Sequence, residues 1–269
     1  MKTLIWKYFP SFLLKILVFF FGTFRSKEKM GMLKCNYYAY GLINAADLAK
    51  KNNVNAIWAL EFGVASGRGL YHLISLAEMV KKETNVDVKI AGFDTGKGMP
   101  ISNDFRDHPE KYQEGDYPMI NEQQLKKNIK GKAELILGDI ENTIKEFTKK
   151  LTPRCPVGFV SIDVDTYTAT VSALKLFQEK KSEVYLPMVF SYFDDSGSRS
   201  HFSKFTGELL AIEEFNLKSQ MRKIDIDRGV RNSHPNLNWQ SWFERMFVTH
   251  IFDHSSRYIK SSRTRKILP

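Results

Sequence analysis

Apolar runs alternate with amphipathic segments along most of the chain from Asn55 onward. The apolar runs predict seven strands, at residues 56–62, 86–93, 133–137, 157–162, 184–193, 222–226 and 245–251. Apolar residues at helical spacing predict helices between them, at residues 70–82, 125–129, 144–151, 169–177 and 207–215. Strands that alternate with helices form right-handed crossovers, which bury a parallel sheet on both faces. The predicted fold class is therefore α/β: a doubly wound, mostly parallel, seven-stranded Rossmann-like sheet with helices on both faces.

The first 31 residues follow a different pattern, with basic residues before, within and after an apolar stretch. The longest uncharged run, residues 16–24, is less than half of the about 20 residues needed to span a bilayer. A membrane-spanning helix is therefore disfavoured, and the lack of an A-x-A-like cleavage site disfavours a secretory signal. Apolar positions at near-helical spacing instead predict a hydrophobic, amphipathic segment, 1–31, ahead of a single domain, 32–269.

Three environments could receive the apolar face of residues 1–31: a membrane surface, the chain's own domain, or a second subunit. The sequence leaves peripheral membrane contact and packing on protein equally open. We expect a homo-oligomer in the cytoplasm, with membrane association through residues 1–31 as an open alternative.

Composition narrows the partners of the protein. The chain has 269 residues, of which 43% are hydrophobic, enough for one large core, and its formal net charge is +10. Because the basic residues are dispersed among acids and cluster clearly only at the two ends, a solvated surface is favoured over a nucleic-acid groove. Cys35 and Cys155 are far apart in the sequence and are the only cysteines, which argues against a disulfide framework and against structural zinc.

Acidic residues lie at the carboxyl end of each of the first five predicted strands. They are Glu61, Asp94, Asp139, the pair Asp163 and Asp165, and the pair Asp194 and Asp195. Any one of them could simply cap a helix or sit in a turn. Ligands of parallel α/β sheets bind beyond the carboxyl ends of the strands, so five acidic strand ends in succession predict a binding site at this edge.

A glycine-rich turn follows the first strand in the stretch LEFGVASGRG. Its glycines are spaced G-x-x-x-G-x-G, which departs from the G-x-G-x-x-G dinucleotide fingerprint and disfavours a pyrophosphate cradle. The turn still permits close approach of a ligand, and the next helix offers N–H groups to a carboxylate. An ammonium at Glu61, ribose hydroxyls at Asp94 and an adenine amino group at Asp139 together describe S-adenosylmethionine. The predicted cofactor-binding residues are Glu61, Gly63, Ser66, Gly67, Asp94 and Asp139.

Longer motifs carry a family resemblance. They are ALEFGVASGRGL, AGFDTGKGMP, ELILGDIENTI, FVSIDVDTYTATVSALKLF, FSYFDDSG with GELLAIEEFN, and RMFVTHIFDHSSRY. Together they resemble the macrocin O-methyltransferase family of class I methyltransferases over about residues 55–258. The resemblance implies an enzyme that depends on S-adenosylmethionine and magnesium and methylates a hydroxyl of a sugar or glycoconjugate.

Methyl transfer to a hydroxyl needs a base and close alignment, and a carboxylate-bound divalent cation can supply both. Asp163, Asp194 and Asp195 are the predicted ligands of Mg²⁺ or a similar cation. The predicted catalytic residues are Asp163, Asp165 and His254. Asp165 could replace Asp163 as ligand or act as base, and His254 could be a base, a substrate contact or a cap of the last strand.

Residues 102–119 form a long, charged and aromatic connection that is predicted to be either a lid over the substrate or a solvated loop. Two alternative functions stay open: a cofactor-binding protein without turnover, and a metal-independent small-molecule methyltransferase. A nucleic-acid methyltransferase is disfavoured, because no aromatic–Pro dipeptide flanked by Asn or Asp follows the fourth strand.

Overall fold

The computed structural model describes residues 11–178, 181–197 and 203–258. The strands in these ranges are β1 (Ala56–Phe62), β2 (Asp87–Asp94), β3 (Glu134–Leu137), β4 (Val157–Ile162), β5 (Tyr185–Phe193), β6 (Arg222–Ile226) and β7 (Met246–Ile251). The α-helices are α1 (Ser11–Phe21), α2 (Phe24–Lys29), α3 (Asn36–Lys51), α4 (Arg68–Thr84), α5 (Glu122–Ile129), α6 (Ile140–Thr148), α7 (Tyr167–Leu174), α8 (Gly207–Lys218) and α9 (Val230–Ser233). Each strand lies within one residue of its predicted position at both ends.

The seven strands form one sheet in the order β3-β2-β1-β4-β5-β7-β6. The first five strands pair in parallel, whereas β7 runs antiparallel to both β5 and β6. The prediction of a seven-stranded α/β sheet is thus confirmed, and the sheet is mixed because of this one reversed strand. The strand order turns back between β1 and β4, so the crevice at the carboxyl ends of these two strands is where a ligand is expected.

Helices cover both faces of the sheet and bury two hydrophobic cores. Along β1, Ile57 and Ala59 point into the core beneath α3, α4 and α5, while Trp58 and Leu60 point into the core beneath α6, α7 and α8. Alternate residues of a strand face opposite sides, so a strand covered on both sides must be apolar throughout. This explains why β1 reads as an unbroken apolar run up to Glu61.

Helix α3 was absent from the sequence prediction, although it packs closely on the centre of the sheet. Its fully buried positions include Ala39, Leu42, Ala46 and Ala49, which recur at helical spacing. A Cβ on Gly41 would come within 2.3 Å of the Phe159 ring on β4. The small residues of α3 let its backbone approach the sheet, and they weaken the hydrophobic signal that would have revealed it.

The predicted N-terminal segment divides into two parts. Helix α2 is fixed to the domain, because Arg25 forms ion pairs with Asp47 at 2.7 Å and Glu83 at 3.0 Å. Glu28 also accepts a hydrogen bond from the buried His234 ring at 2.6 Å. Helix α1, by contrast, leaves most of its apolar side chains exposed. Among the described helices, none is both long and apolar enough to cross a membrane.

Candidate active site

A cleft of about 530 Å³ lies at the carboxyl ends of the parallel strands, around the point where the strand order reverses. Its lining includes Glu61 near the end of β1 and Gly63 just after it, Asp94 at the end of β2, Asp163 after β4 and Asp194 after β5. Another cavity, of about 660 Å³, lies between α7 and α8, and no predicted site residue lines it. The cleft at the reversal point therefore holds the candidate site.

The glycine-rich turn is shaped by neighbouring strands and by Asp94. Gly63 has φ +87°, and a Cβ at this position would lie 1.8 Å from the Asp163 carbonyl oxygen. The Asp94 carboxylate accepts hydrogen bonds from the Val64 and Ala65 amides at 2.8 Å each, and from the Gly96 amide at 2.7 Å. Asp94 thus holds the turn in place, a role that the sequence did not predict, and it also lines the cleft as predicted.

Glu61 is buried at the base of the turn, with 2% of its surface exposed. Its Oε1 accepts a hydrogen bond from the Tyr38 hydroxyl at 2.9 Å, whereas its buried Oε2 has no hydrogen-bond partner. Gly69 makes room for this carboxylate, since a Cβ there would lie 1.9 Å from Oε1. Burial raises the pKa of Glu61 to about 8. An unpaired buried oxygen of this kind is suited to bind a positively charged group of a ligand.

Ser66, Gly67 and Asp139 occupy different places around the turn. Ser66 is exposed and lines the cleft, whereas Gly67 precedes α4 with φ +84° and packs against Leu125. Asp139 accepts a hydrogen bond from the Asn142 amide at 3.3 Å and caps the N-terminus of α6. Ile140, rather than Asp139, lines the cleft at the end of β3. The structure therefore gives Asp139 the capping role that a lone strand-end acid commonly has.

Three of the predicted acids converge on one point of the cleft. Asp163, Asp194 and Asp195 each place one carboxylate oxygen within 4.8 Å of the other two. The Oδ1 of Asp194 accepts hydrogen bonds from the Tyr192 hydroxyl at 2.6 Å and from Arg245 Nη1 at 2.9 Å. These contacts fix the orientation of the Asp194 carboxylate beside the cluster.

Asp195 is the most deeply placed of the three. Its backbone amide donates to Glu208 Oε2 at 2.9 Å, which ties the turn after β5 to the first turn of α8. Its carboxylate Oδ2 is buried without a hydrogen-bond partner, and so is Glu208 Oε1. Buried carboxylate oxygens without donors are costly, and a bound cation would remove this cost.

The crowding of acids shifts their proton affinities upward. Asp163 is open to the cleft yet surrounded by protein, and burial followed by the charges of Asp194 and Asp165 raises its pKa well above the usual range. Burial and then Asp165 raise the pKa of Asp195 to about 8. Burial followed by Asp195 raises the pKa of Glu208 as well. Each shift arises first from burial and then from neighbouring carboxylates, and both disfavour the charged form of the acid.

Asp165 lies in the turn between β4 and α7, where its φ is +60°. This left-handed backbone conformation is strained for a residue with a side chain. It places the Asp165 carboxyl against Asp195 and near Tyr112, each of which has its pKa raised in part by Asp165. The predicted catalytic acid therefore belongs to the cluster, although it stands in a turn and not on the strand.

His254 lies away from the cleft, and the prediction that it acts there is wrong. Because β7 is antiparallel, its carboxyl end meets the start of β5, with His250 paired to Met188. Asp253, next to His254, accepts a hydrogen bond at its carbonyl from Ser182, which precedes β5. β5 has nine residues, so at about 3.3 Å per residue it spans up to about 30 Å between this edge and the cleft. A mostly parallel sheet would allow the end of β7 to meet the cleft, and the antiparallel direction of β7 places it at the other edge.

The same reversal brings Arg245, immediately before β7, into the cleft. Sequence reasoning also missed Tyr37 and Tyr38 on α3. Tyr37 stacks on Tyr192 with ring centroids 4.2 Å apart, and Tyr38 connects Glu61 to Ser161 through hydrogen bonds of 2.9 Å. The helical spacing of α3 was the available signal for the two tyrosines.

Residues 102–119 pack over the rim of the cleft. Asp107 is buried and accepts hydrogen bonds from the Thr168 amide at 2.7 Å and the Thr168 hydroxyl at 2.8 Å, which anchors the segment to α7. Lys111, Asp116 and Tyr117 line the cleft from this side. The segment thus forms one wall of the site, and its opening and closing stay a prediction.

Comparisons with known proteins find likeness at the level of structure. No family model matches the chain, and no curated protein does. The chain is similar to CalS11, a calicheamicin methyltransferase, at 22% identity and TM-score 0.47, over 64% of this chain and 69% of that one. It is also similar to an apo structure of CalS11, described as a TDP-rhamnose 3'-O-methyltransferase, at 19% identity and TM-score 0.39, over 64% and 68%. TomG of Streptomyces achromogenes, an O-methyltransferase in complex with SAM, matches at 12% identity and TM-score 0.38, over 78% of each chain. Similarities this low do not establish a family, so the resemblance to the macrocin O-methyltransferases stays a prediction.

Proposed function

We propose that this protein is an S-adenosylmethionine-dependent, divalent-metal-assisted O-methyltransferase that acts on a hydroxyl of a sugar or glycoconjugate. One observation carries the proposal: a glycine-rich turn with an unpaired buried carboxylate shares one cleft with a cluster of three converging aspartates. The first feature suits a nucleoside with an amino-acid group, and the second suits a cation beside it.

The cofactor half of the cleft offers one partner for each part of S-adenosylmethionine. The free Oε2 of Glu61 would bind the ammonium, and the start of α4 at Arg68 would bind the carboxylate. The Asp94 oxygens, held by three backbone amides, keep lone pairs for ribose hydroxyls. Ile140 offers an apolar contact for the adenine ring.

The aspartate cluster fits a hard divalent cation, because its donors are carboxylate oxygens and the buried Asp195 Oδ2 lacks any other partner. Asp163, Asp194 and Asp195 would hold the ion. A bound divalent cation would lower the pKa of an acceptor hydroxyl and fix the position of its oxygen.

The chain's own residues then orient the acceptor and take its proton. Tyr192 and Arg245 fix Asp194, and Glu208 fixes the backbone of Asp195. Asp165, held against Asp195 and open to the cleft, is the proposed base. Residues 102–119 line the side of the cleft where the acceptor would bind, and they would exclude water from the reacting groups.

The lining of the acceptor side suits a hydroxylated ring better than a nucleic acid. Tyr37 and Tyr117 provide aromatic surface, and Lys111 and Asp116 provide hydrogen-bonding groups. The concentration of carboxylates would repel a phosphate backbone, so we propose no nucleic-acid partner.

Calorimetric titration with S-adenosylhomocysteine and Mg²⁺, followed by a radiolabelled methyl-transfer screen with hydroxylated sugars, tests the function. We expect cofactor binding, transfer to an acceptor hydroxyl, and loss of transfer on adding a chelator. Transfer that survives chelation would indicate a metal-independent methyltransferase. Cofactor binding with no transfer to any hydroxylated acceptor would indicate a binding protein, and absence of cofactor binding would refute the proposal.

Glu61 provides a separate test of the cofactor half. Because the pKa of Glu61 is about 8, the free protein carries a neutral carboxyl at pH 6, and ammonium binding requires its ionised form. The affinity for S-adenosylhomocysteine should therefore rise as pH increases from about 6 through 8 and level off only above about 9. Glu61→Gln should weaken binding about tenfold at pH 8 and flatten this profile. Calorimetry at several pH values measures both effects.

The exposed acid Glu78 on α4 gives the matched control, because Glu78→Gln removes the same charge outside the cleft. A Glu61→Gln protein with wild-type affinity throughout the pH range would show that Glu61 does not contact the ammonium.

A further inference from the structure

Helix α1 carries an apolar surface that the rest of the described chain leaves uncovered. Its exposed large apolar side chains are Leu13, Ile16, Leu17, Phe19, Phe20 and Phe21. Their exposed fractions run from 39% for Ile16 to 85% for Phe21. Exposed apolar surface concentrated in this way marks an interaction site.

The exposed side chains cover a wide arc of the helix. At 100° per residue, they span about 200° around the axis, and Lys15 lies on the opposite face. Two helices that pack together bury a narrower apolar stripe than this. An arc of this width fits a hydrocarbon boundary that surrounds half of the helix. Phe19 and Phe20 lie edge to face, with centroids 5.1 Å apart, and add bulky aromatic surface.

The charged residues that precede Glu28 in the sequence are of one sign. They are Lys2, Lys7, Lys15, Arg25 and Lys27, with no acid among them. Arg25 is paired with Asp47 and Glu83, so the four lysines carry the net positive charge of this stretch. Such a segment is attracted to an anionic surface, whereas a second copy of the same segment would bring like charges together. Charge complementarity therefore favours an anionic bilayer over a second subunit.

The described length of α1 suffices for it to lie on a bilayer and is too short to cross one. Its 11 residues extend about 16 Å, about half of the roughly 30 Å of a hydrocarbon core. Helix α2, which follows directly, is fixed to the domain by Phe24, Arg25 and Glu28. We propose that α1 inserts its apolar face into the interface of an anionic lipid bilayer and holds the domain on the membrane surface.

Co-sedimentation of the full chain with vesicles tests this proposal. The probes are vesicles of phosphatidylcholine with phosphatidylglycerol, and vesicles of phosphatidylcholine alone. We expect binding to the anionic vesicles, weaker binding to the neutral ones, and partial loss of binding at high salt. The double variant Leu13→Glu/Phe20→Glu should lose at least about tenfold in vesicle affinity, because it places two charges within the apolar arc.

The variant Ile120→Glu/Leu217→Glu is the matched control, since it changes two exposed apolar residues to acids elsewhere on the surface. It should bind anionic vesicles nearly as well as the wild-type chain. Light scattering and circular dichroism of all three proteins report oligomeric state and folding. The proposal would be overturned if the wild-type protein did not bind the anionic vesicles. It would also be overturned if both variants lost vesicle affinity equally. A change from dimer to monomer in Leu13→Glu/Phe20→Glu, without vesicle binding by the wild type, would identify a second copy as the occupant.

Discussion

Replacing Asp195 with Asn is expected to lower kcat/KM for methyl transfer by about 10²- to 10³-fold while leaving the fold intact. The substitution keeps the shape of the side chain and removes one of the three charges that would hold a cation. Its Oδ2 is buried without a hydrogen-bond partner, so no other contact of this oxygen is lost. Binding of S-adenosylhomocysteine should change little, because Asp195 lies on the aspartate side of the cleft and Glu61 on the turn side.

Stability measurements separate a metal ligand from a merely structural acid. The pKa of Asp195 is about 8 in the folded protein, above the value of about 4 expected for the unfolded chain. The folded state therefore binds more protons between these values, and Asp195 lowers the stability of the metal-free protein as pH rises from about 4 to 8. Above pH 8, metal-free Asp195→Asn should be more stable than the wild type, and Mg²⁺ should raise the Tm of the wild type but not that of Asp195→Asn.

Asp116→Asn is the matched control for this experiment. Asp116 also lines the cleft, but it lies outside the cluster and accepts a hydrogen bond from the Gln113 amide at 2.8 Å. It should keep the wild-type response to Mg²⁺. If Asp195→Asn retained full activity and the same Mg²⁺-dependent rise in Tm, the assignment of the cation site would be wrong.

Gly63→Ala is expected to lower the free energy of unfolding by about 3 kcal/mol or more and to abolish cofactor binding. Gly63 has φ +87°, and an added Cβ would lie 1.8 Å from the Asp163 carbonyl oxygen. Because that oxygen belongs to the backbone of the adjacent turn, relief requires β1 and β4 to separate at the cleft. The change would therefore disturb both the glycine-rich turn and the aspartate cluster.

The variant Gly131→Ala is the control for Gly63→Ala, because it introduces the strain of a positive φ without a steric clash. Gly131 has φ +76°, and no atom lies within 4 Å of its added Cβ. Gly131→Ala should lower the free energy of unfolding by only about 1 kcal/mol, the cost of the left-handed conformation itself. Urea denaturation of both variants measures the difference. If both variants lost the same free energy of unfolding, the backbone after β4 would move away from residue 63 at little cost. The close approach of residue 63 to the Asp163 carbonyl would then not be required.

The strands could be predicted well from the sequence because each is a short apolar run bounded by polar residues. The direction of β7 could not, since an antiparallel strand buried at this position has the same apolar pattern as a parallel one. Helix α3 was missed for a different reason, because alanines at its buried positions give little contrast with its polar face. Its two tyrosines, Tyr37 and Tyr38, were missed with it.

The acids of the site were predictable because they follow strands whose ends must meet at one edge. The sequence could not separate acids that face the cleft from one that caps a helix, so Asp139 was grouped with Asp163 and Asp194. Residues that act through another side chain, such as Glu208 and Arg245, are linked to the cluster only by the fold. The position of His254 was predicted wrongly because this residue follows β7, whose direction the apolar pattern did not reveal.

The reversal of β7 has a practical consequence for handling the protein. The chain after β7 emerges at the edge of the sheet remote from the cleft, where Tyr258 is 69% exposed. A fluorophore or surface linker attached at Tyr258 would leave the opening of the cleft accessible to small molecules. Optical and immobilised assays can therefore be built on that edge without obstructing substrate entry.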